Sequence, residues 1–158
     1  MDAGLAFARA ANHQVRYVHP VRPPATGLVA EVYRQARRDM RVLVPPVSLH
    51  SPAPEVLAGF WMLLRETMIA DGAVDHLAKE AVAAAVSVAN TCPYCATVHE
   101  TAMYRLTAEA DAVAIATDRP DVVTDPALRA VATWARTCHR PGAPDLRHPP
   151  ECGRPGRR

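Results

Sequence analysis

Lysine is all but missing from this chain. Of its 18 basic residues 17 are arginine and one is Lys79, a ratio that reads as base-composition bias. Aromatic residues are scarce as well, at 5%. Long apolar runs are absent: the longest, Val56 to Leu64 and Ala81 to Val86, fall well short of the roughly 18 residues needed to span a bilayer. A broad basic face is also lacking. Residues 147–158 carry Arg147, Arg154, Arg157 and Arg158 against Glu151, a net +3 within an overall +2, so the remaining residues sum to −1. A body that close to neutral excludes a nucleic-acid-binding surface spread over it. Asp2 stands where a secretory leader would carry a cation, so the cytoplasm is the expected location, with no membrane association. In that reducing compartment the 4 cysteines read as catalytic, metal-binding or incidental, not as structural bridges.

What the chain has in excess is alanine, 30 of 158 residues. Alanine is the best helix former and a poor strand former. With no alternating strand pattern and no internal repeat, the expected fold is all-α: one helical domain of six or seven helices around a central antiparallel pair. A short helix fits residues 1–13, followed by a proline-rich strap over residues 15–25. Thr26 can cap a helix to about Arg41, with Leu28, Val29, Val32, Tyr33 and Ala36 on one stripe. Ser51-Pro52 is a helix start leading through the apolar run to Ile69. Asp75 can cap a helix to about Asn90 whose interior, AVAAAVSVA, is apolar on nearly every side, as in a central buried helix. Cys92-Pro93 opens the next helix, to Tyr104; Thr107 can cap another, to about Thr117; and Pro126 opens the last, to about His139. Beyond Arg140 there is little to bury. The expected organisation is residues 1–45 as N-terminal helix and strap, 46–139 as core and 140–158 as disordered tail.

Chemistry concentrates in EAVAAAVSVANTCPYCATVH, which contains Glu80-x11-Cys92-x2-Cys95-x3-His99. Cys92 and Cys95 lie at the start of a helix, where unpaired amides and the helix dipole stabilise a thiolate, the reactive form. Two cysteines on one turn can also close a disulfide. His99 is four residues after Cys95, on the same helix face, so its imidazole can take and return a thiol proton. Glu80 lies about 15 Å back from the turn along its own helix and His99 about 10 Å beyond it. If the helices fold back, carboxylate and imidazole meet. A carboxylate beside an imidazole orients it and favours its protonated form, the logic of nucleophile, base and orienting group.

Each part also has a plainer reading. Glu80, next to Lys79, can be a solvated helix-start acid, and His99 a surface histidine. Cys92, Cys95 and His99 with Cys138 or His139 can make a zinc set, though the second half lacks paired spacing. CPYC occurs in glutaredoxins, but that fold requires a strand before the first cysteine, where this chain has an alanine-rich helix. Trp61, Phe60, Met62 and Trp134 read as core or subunit contact, Cys138 as a small apolar residue, and Cys152 as incidental.

Taken together, Glu80, Cys92, Cys95 and His99 resemble the active-site signature of the alkylhydroperoxidase D-like (AhpD-like) branch of the carboxymuconolactone decarboxylase family. The resemblance extends from about Pro46 to Arg136 and includes Phe60-Trp61, the turn at Asp71-Gly72 and Lys79-Glu80. It implies an all-helical fold, trimers or larger homo-oligomers, and reduction of hydroperoxides through a cysteine-pair disulfide cycle reset by a lipoyl-type or other dithiol reductant, with no bound cofactor or metal. Decarboxylases of the superfamily generally lack the cysteine pair, so the dithiol points to the redox branch. On this reading Glu80 orients His99, His99 deprotonates Cys95, Cys95 attacks the peroxide and Cys92 resolves it. Helix-dipole physics alone favours Cys92 as the attacking sulfur; proximity to His99 and the resemblance favour Cys95. Two features depart from the family pattern. The residue between the cysteines, a histidine in some members, is Tyr94, and the chain closes on HPPECGRPGRR where members commonly continue with an apolar helix. A general thiol-disulfide oxidoreductase or redox sensor is the alternative function.

Overall fold

A computed structural model describes Ala11 and residues 17–138. The helix expected over residues 1–13 and the tail from residue 140 therefore lie, Ala11 aside, outside the described residues. Within them the protein is all-α, with seven α-helices and no strand: α1 Gly27–Met40, α2 Pro45–Ser48, α3 Pro54–Leu64, α4 His76–Ala89, α5 Pro93–Met103, α6 Glu109–Ala116 and α7 Pro126–Thr137. None is long and apolar enough to cross a membrane. Contacts divide the chain into two compact units, one ending at Lys79 and one beginning at Glu80.

The first unit is built around the stripe expected on α1, except for Leu28, which is exposed. Val29, Val32, Tyr33 and Ala36 bury against Val47 of α2 and Leu57 and Trp61 of α3. Polar anchors complete this core. The Trp61 indole N–H donates to Gln35 Oε1 at 2.9 Å, and Arg65 Nε donates to Asp39 Oδ2 at 3.1 Å. The strap is pinned by Tyr33, whose hydroxyl donates to the Val21 carbonyl at 2.8 Å, and by Ser51, whose hydroxyl accepts the Val21 amide at 2.7 Å.

That use of Ser51 corrects the expected helix start at Ser51-Pro52. Ser51 is buried, donates to the Ser48 carbonyl at 2.6 Å, and is not a cap; α3 begins at Pro54 behind Ala53. Between α1 and α3 the segment VLVPPVSLH contains the short helix α2, since proline suits a first turn. Past Leu64, α3 widens into a π-helical turn, Arg65–Ile69, closed by the Ala70 amide on the Arg65 carbonyl at 2.8 Å. Of the aromatic and methionine residues on α3, Trp61 is core, Phe60 stacks on His50 with centroids 4.2 Å apart, and Met62 is 63% exposed.

In the second unit α6, the 3-10 turn Pro120–Val122 and α7 are fastened by a buried acid. Asp111 accepts the Thr124 amide at 2.8 Å and the Thr124 hydroxyl at 2.7 Å, and the amide bond foremost holds its carboxyl below the usual range. Asp125 caps α7 through the Ala127 and Leu128 amides at 2.8 and 3.2 Å. The cap expected from Thr107 is absent: α6 starts behind Ala108. Trp134 stands exposed on α7.

Candidate functional site

Asp75 caps the start of α4 as expected, its carboxylate accepting the Ala78 amide at 2.7 Å. The buried face of α4 carries Glu80, Ala81, Ala84, Ala85 and Ser87. Glu80 is thus not a solvated helix-start acid: it is only 8% exposed.

The corner after α4 brings the cysteines into place. The Thr91 amide donates to the Val88 carbonyl and the Cys92 amide to the Ser87 carbonyl, both at 2.9 Å. This is the paired closure of a Schellman turn, with Thr91 at the left-handed position, φ 55°. The residue ending that turn, Cys92, is also the N-cap of α5. Its sulfur accepts the Cys95 amide at 3.4 Å, and Pro93 follows at the first helical position, where no amide is required. Cys92 therefore holds the end of one helix and the start of the next.

Cys92 and Cys95 are free and half-buried, with sulfurs 2.6 Å apart. Burial, then the hydrogen bond and charge of Cys92, push the Cys95 thiol up to about 11. The physical content is that two adjoining sulfurs do not readily carry two negative charges, and the buried one holds its proton unless a base removes it. Tyr94, with its hydroxyl enclosed, is pushed up to about 12 by burial, then by charge on Cys95 and Cys92. It stays a neutral phenol near pH 7.

One turn beyond Cys95 on α5, His99 Nδ1 lies 2.7 Å from Glu80 Oε2 of α4. Against an ionised carboxylate Nδ1 must be the donor, so neutral His99 carries its free lone pair on Nε2. The structure brings together what the spacing paired: the two sulfurs at the corner, and the carboxylate with the imidazole. Among the described residues no three His, Cys, Asp or Glu side chains form a metal-holding group; His139, one ligand weighed for zinc, lies outside them. Two features of the site were not read from sequence. Thr91 in the left-handed region carried no signal, because glycine or asparagine is the usual residue there. Tyr94 beside the sulfurs was visible only as a departure from the family motif.

The model of the carboxymuconolactone decarboxylase family matches residues 54–137, more than half of the 158-residue chain. A Mycobacterium tuberculosis (strain H37Rv) protein named an alkyl hydroperoxide reductase is 39% identical over 131 residues, 82% of this chain. The chain spans 38% of the length of that relative. No solved structure gave a significant match. With the family model covering the corner and both helices that meet there, the chain belongs to the carboxymuconolactone decarboxylase family, as an AhpD-like member.

Proposed function

We propose that this protein is a thiol-dependent peroxidase that reduces hydroperoxides through the Cys92–Cys95 pair, with Glu80 and His99 as its proton relay. The observation that carries this reading is the 2.7 Å contact between Glu80 and His99 one turn beyond the dithiol. A dithiol that only exchanges disulfides has no use for a buried carboxylate committed to an imidazole. The relative's name as an alkyl hydroperoxide reductase supports the same direction.

The cycle runs as follows. Glu80 holds the His99 tautomer with Nε2 free. His99 takes the proton from Cys95, directly or through one water, which answers the difficulty of ionising that buried thiol. The thiolate attacks one peroxide oxygen; the O–O bond breaks, Cys95 becomes a sulfenic acid, and the leaving alkoxide takes the proton from His99 as it becomes alcohol. Cys92 then attacks the Cys95 sulfur, expelling hydroxide that leaves as water with the Cys92 proton, and a disulfide remains. An external dithiol, of lipoyl or similar type, resets the pair by two thiol-disulfide exchanges and is itself oxidised. The protein carries this out in the cytoplasm as a homo-oligomer, a trimer or larger.

The test is hydroperoxide consumption by purified protein with dihydrolipoamide as reductant, compared with Cys95→Ser. Turnover that survives Cys95→Ser, or its absence in the unmodified protein with any dithiol, defeats the proposal. The second reading, a general thiol-disulfide oxidoreductase, draws on the Cys92 sulfur at the helix N-cap, which suffices for exchange. Exchange with a model disulfide without peroxide reduction decides for it.

A further inference from the structure

The single lysine of the chain sits beside Glu80, and its position opposes local electrostatics. Lys79 falls in the first turn of α4, the positive end of the helix dipole, where a cation is unfavourable and an acid preferred. The cost is offset elsewhere. Lys79 Nζ donates to the Ala70 carbonyl at 2.7 Å, and Ala70 is the C-cap of the π-helical turn Arg65–Ile69, the negative end of the preceding helix. The ammonium thus closes the residue 70–79 loop, whose tip, Asp71 to Asp75, is exposed.

Two local bonds also hold that loop. The Asp75 carboxylate accepts the Ala78 amide at 2.7 Å, and the Lys79 amide reaches the Asp75 carbonyl at 3.2 Å. Helix ends fray, and the first turn is least protected when the preceding loop is exposed. Glu80 is the next residue after that turn, and the relay requires its carboxylate to hold one position against His99. A lysine fits the task better than arginine: one carbonyl oxygen is met by a compact point donor, with no planar fork left to satisfy.

We propose that Lys79 is a positioning residue for Glu80: by clamping its ammonium on the Ala70 carbonyl it locks the first turn of α4 and so fixes the carboxylate that orients His99. This rests on the peroxidase reading for its functional consequence but not for its structural one.

The experiment uses Lys79→Met, which keeps the stem and removes the donor, and Lys79→Arg, which keeps charge and donor. Lys79→Met should raise amide exchange at residues 76–81 about tenfold, the weight of one hydrogen bond from a charged group, change the His99 ring-nitrogen NMR signals that report the Glu80 contact, and lower hydroperoxide turnover about tenfold. Exchange of the dithiol with a small disulfide should be unchanged, and Lys79→Arg should recover part of each loss. Unaltered exchange protection and His99 signals in Lys79→Met overturn the proposal, whatever the turnover. Altered protection and signals in a protein with no peroxide reduction uphold the clamp and defeat the peroxidase reading. If Lys79→Met fails to fold, Lys79→Arg decides on the same two spectroscopic readouts: protection and His99 signals both displaced part-way toward the free-turn values uphold the proposal, and both unchanged overturn it.

Discussion

Replacing Glu80 by glutamine keeps size and hydrogen-bonding capacity while removing charge, which isolates what the carboxylate does. Glu80 is 8% exposed and 2.7 Å from His99 Nδ1. A hydrogen bond to a charged group at a site this enclosed is worth about 1.5–3 kcal/mol, against about 0.5–1.5 for a neutral pair. In the proposed relay the imidazolium that forms when His99 takes the Cys95 proton therefore loses roughly 1–2 kcal/mol of stabilisation in Glu80→Gln, close to tenfold in rate at 1.36 kcal/mol per decade. A second loss adds to it. The glutamine amide can donate to Nδ1 as readily as accept from it, so part of the population carries the lone pair on the wrong nitrogen. Hydroperoxide turnover should fall about 10- to 100-fold in all.

The assay pairs two measurements on one preparation: hydroperoxide consumption with dihydrolipoamide, and exchange of the same dithiol with a small aromatic disulfide. Peroxide turnover should fall while exchange holds, because exchange can start at Cys92 without His99. Folding is not the confounding factor, since a neutral amide is cheaper to bury than a carboxylate. Peroxide turnover within twofold of the unsubstituted protein would refute the relay, and an equal fall in both reactions would show that Glu80 serves the dithiol's structure instead.

Treated with peroxide and a sulfenic-acid trap, Cys92→Ser should be labelled at Cys95 and Cys95→Ser should not; labelling only where Cys92 is retained reverses the roles of the two sulfurs. Asp111 has a depressed native carboxyl because Thr124 donates to its charged form through the amide and then the hydroxyl. Its contribution is therefore present above the unfolded value near 4 and is lost as the pH falls through the lower native one. Asp111→Asn should cost about 1–3 kcal/mol at pH 7, read from denaturant unfolding, and flatten the loss of stability below about pH 4; an unchanged acid limb contradicts this. Thr91→Gly should raise the unfolding midpoint, since a β-branched residue at φ 55° costs roughly 1–2 kcal/mol that glycine does not bear, less about 0.5–1 for glycine's freer unfolded chain. A lowered midpoint would mean that the Thr91 side chain holds the turn.

The helices were legible in the sequence wherever apolar spacing and a single breaker agreed. Four of the five residues of the expected stripe, Val29, Val32, Tyr33 and Ala36, are the buried face of α1, Leu28 being exposed, and Asp75 and Pro126 open α4 and α7 where expected. Legibility failed where a good capping residue had a better use. Ser51 looked like an N-cap, but its hydroxyl is spent on Val21, 30 residues away in sequence, a demand that no local window contains. Thr107 lost its cap to Ala108 because the α6 start is set by burial of Asp111 and Ala112. The π-helical turn after Leu64 left no pattern, since widening one turn changes neither composition nor period over five residues. The meeting of Glu80 and His99 was legible for the opposite reason. Two rigid rods of known rise, joined at a marked corner, leave a narrow range of side chains at the same level.

The corner itself breaks two local rules in succession, at Thr91 and at Cys92. A glycine or asparagine would sit without strain at the left-handed position that Thr91 occupies, and serine, threonine, aspartate or asparagine would cap α5 better than the cysteine that does so at 3.4 Å. Folding alone therefore does not account for Cys92. A serine there would hold both helices at least as firmly, so Cys92→Ser should fold as well as the unsubstituted protein, and any chemistry it loses belongs to the sulfur. The same holds in weaker form for Cys95, whose burial makes its proton hard to remove. One sulfur gives up capping strength and the other gives up easy ionisation, and what both gain is a place on the same helical turn, with an oriented imidazole one turn further on.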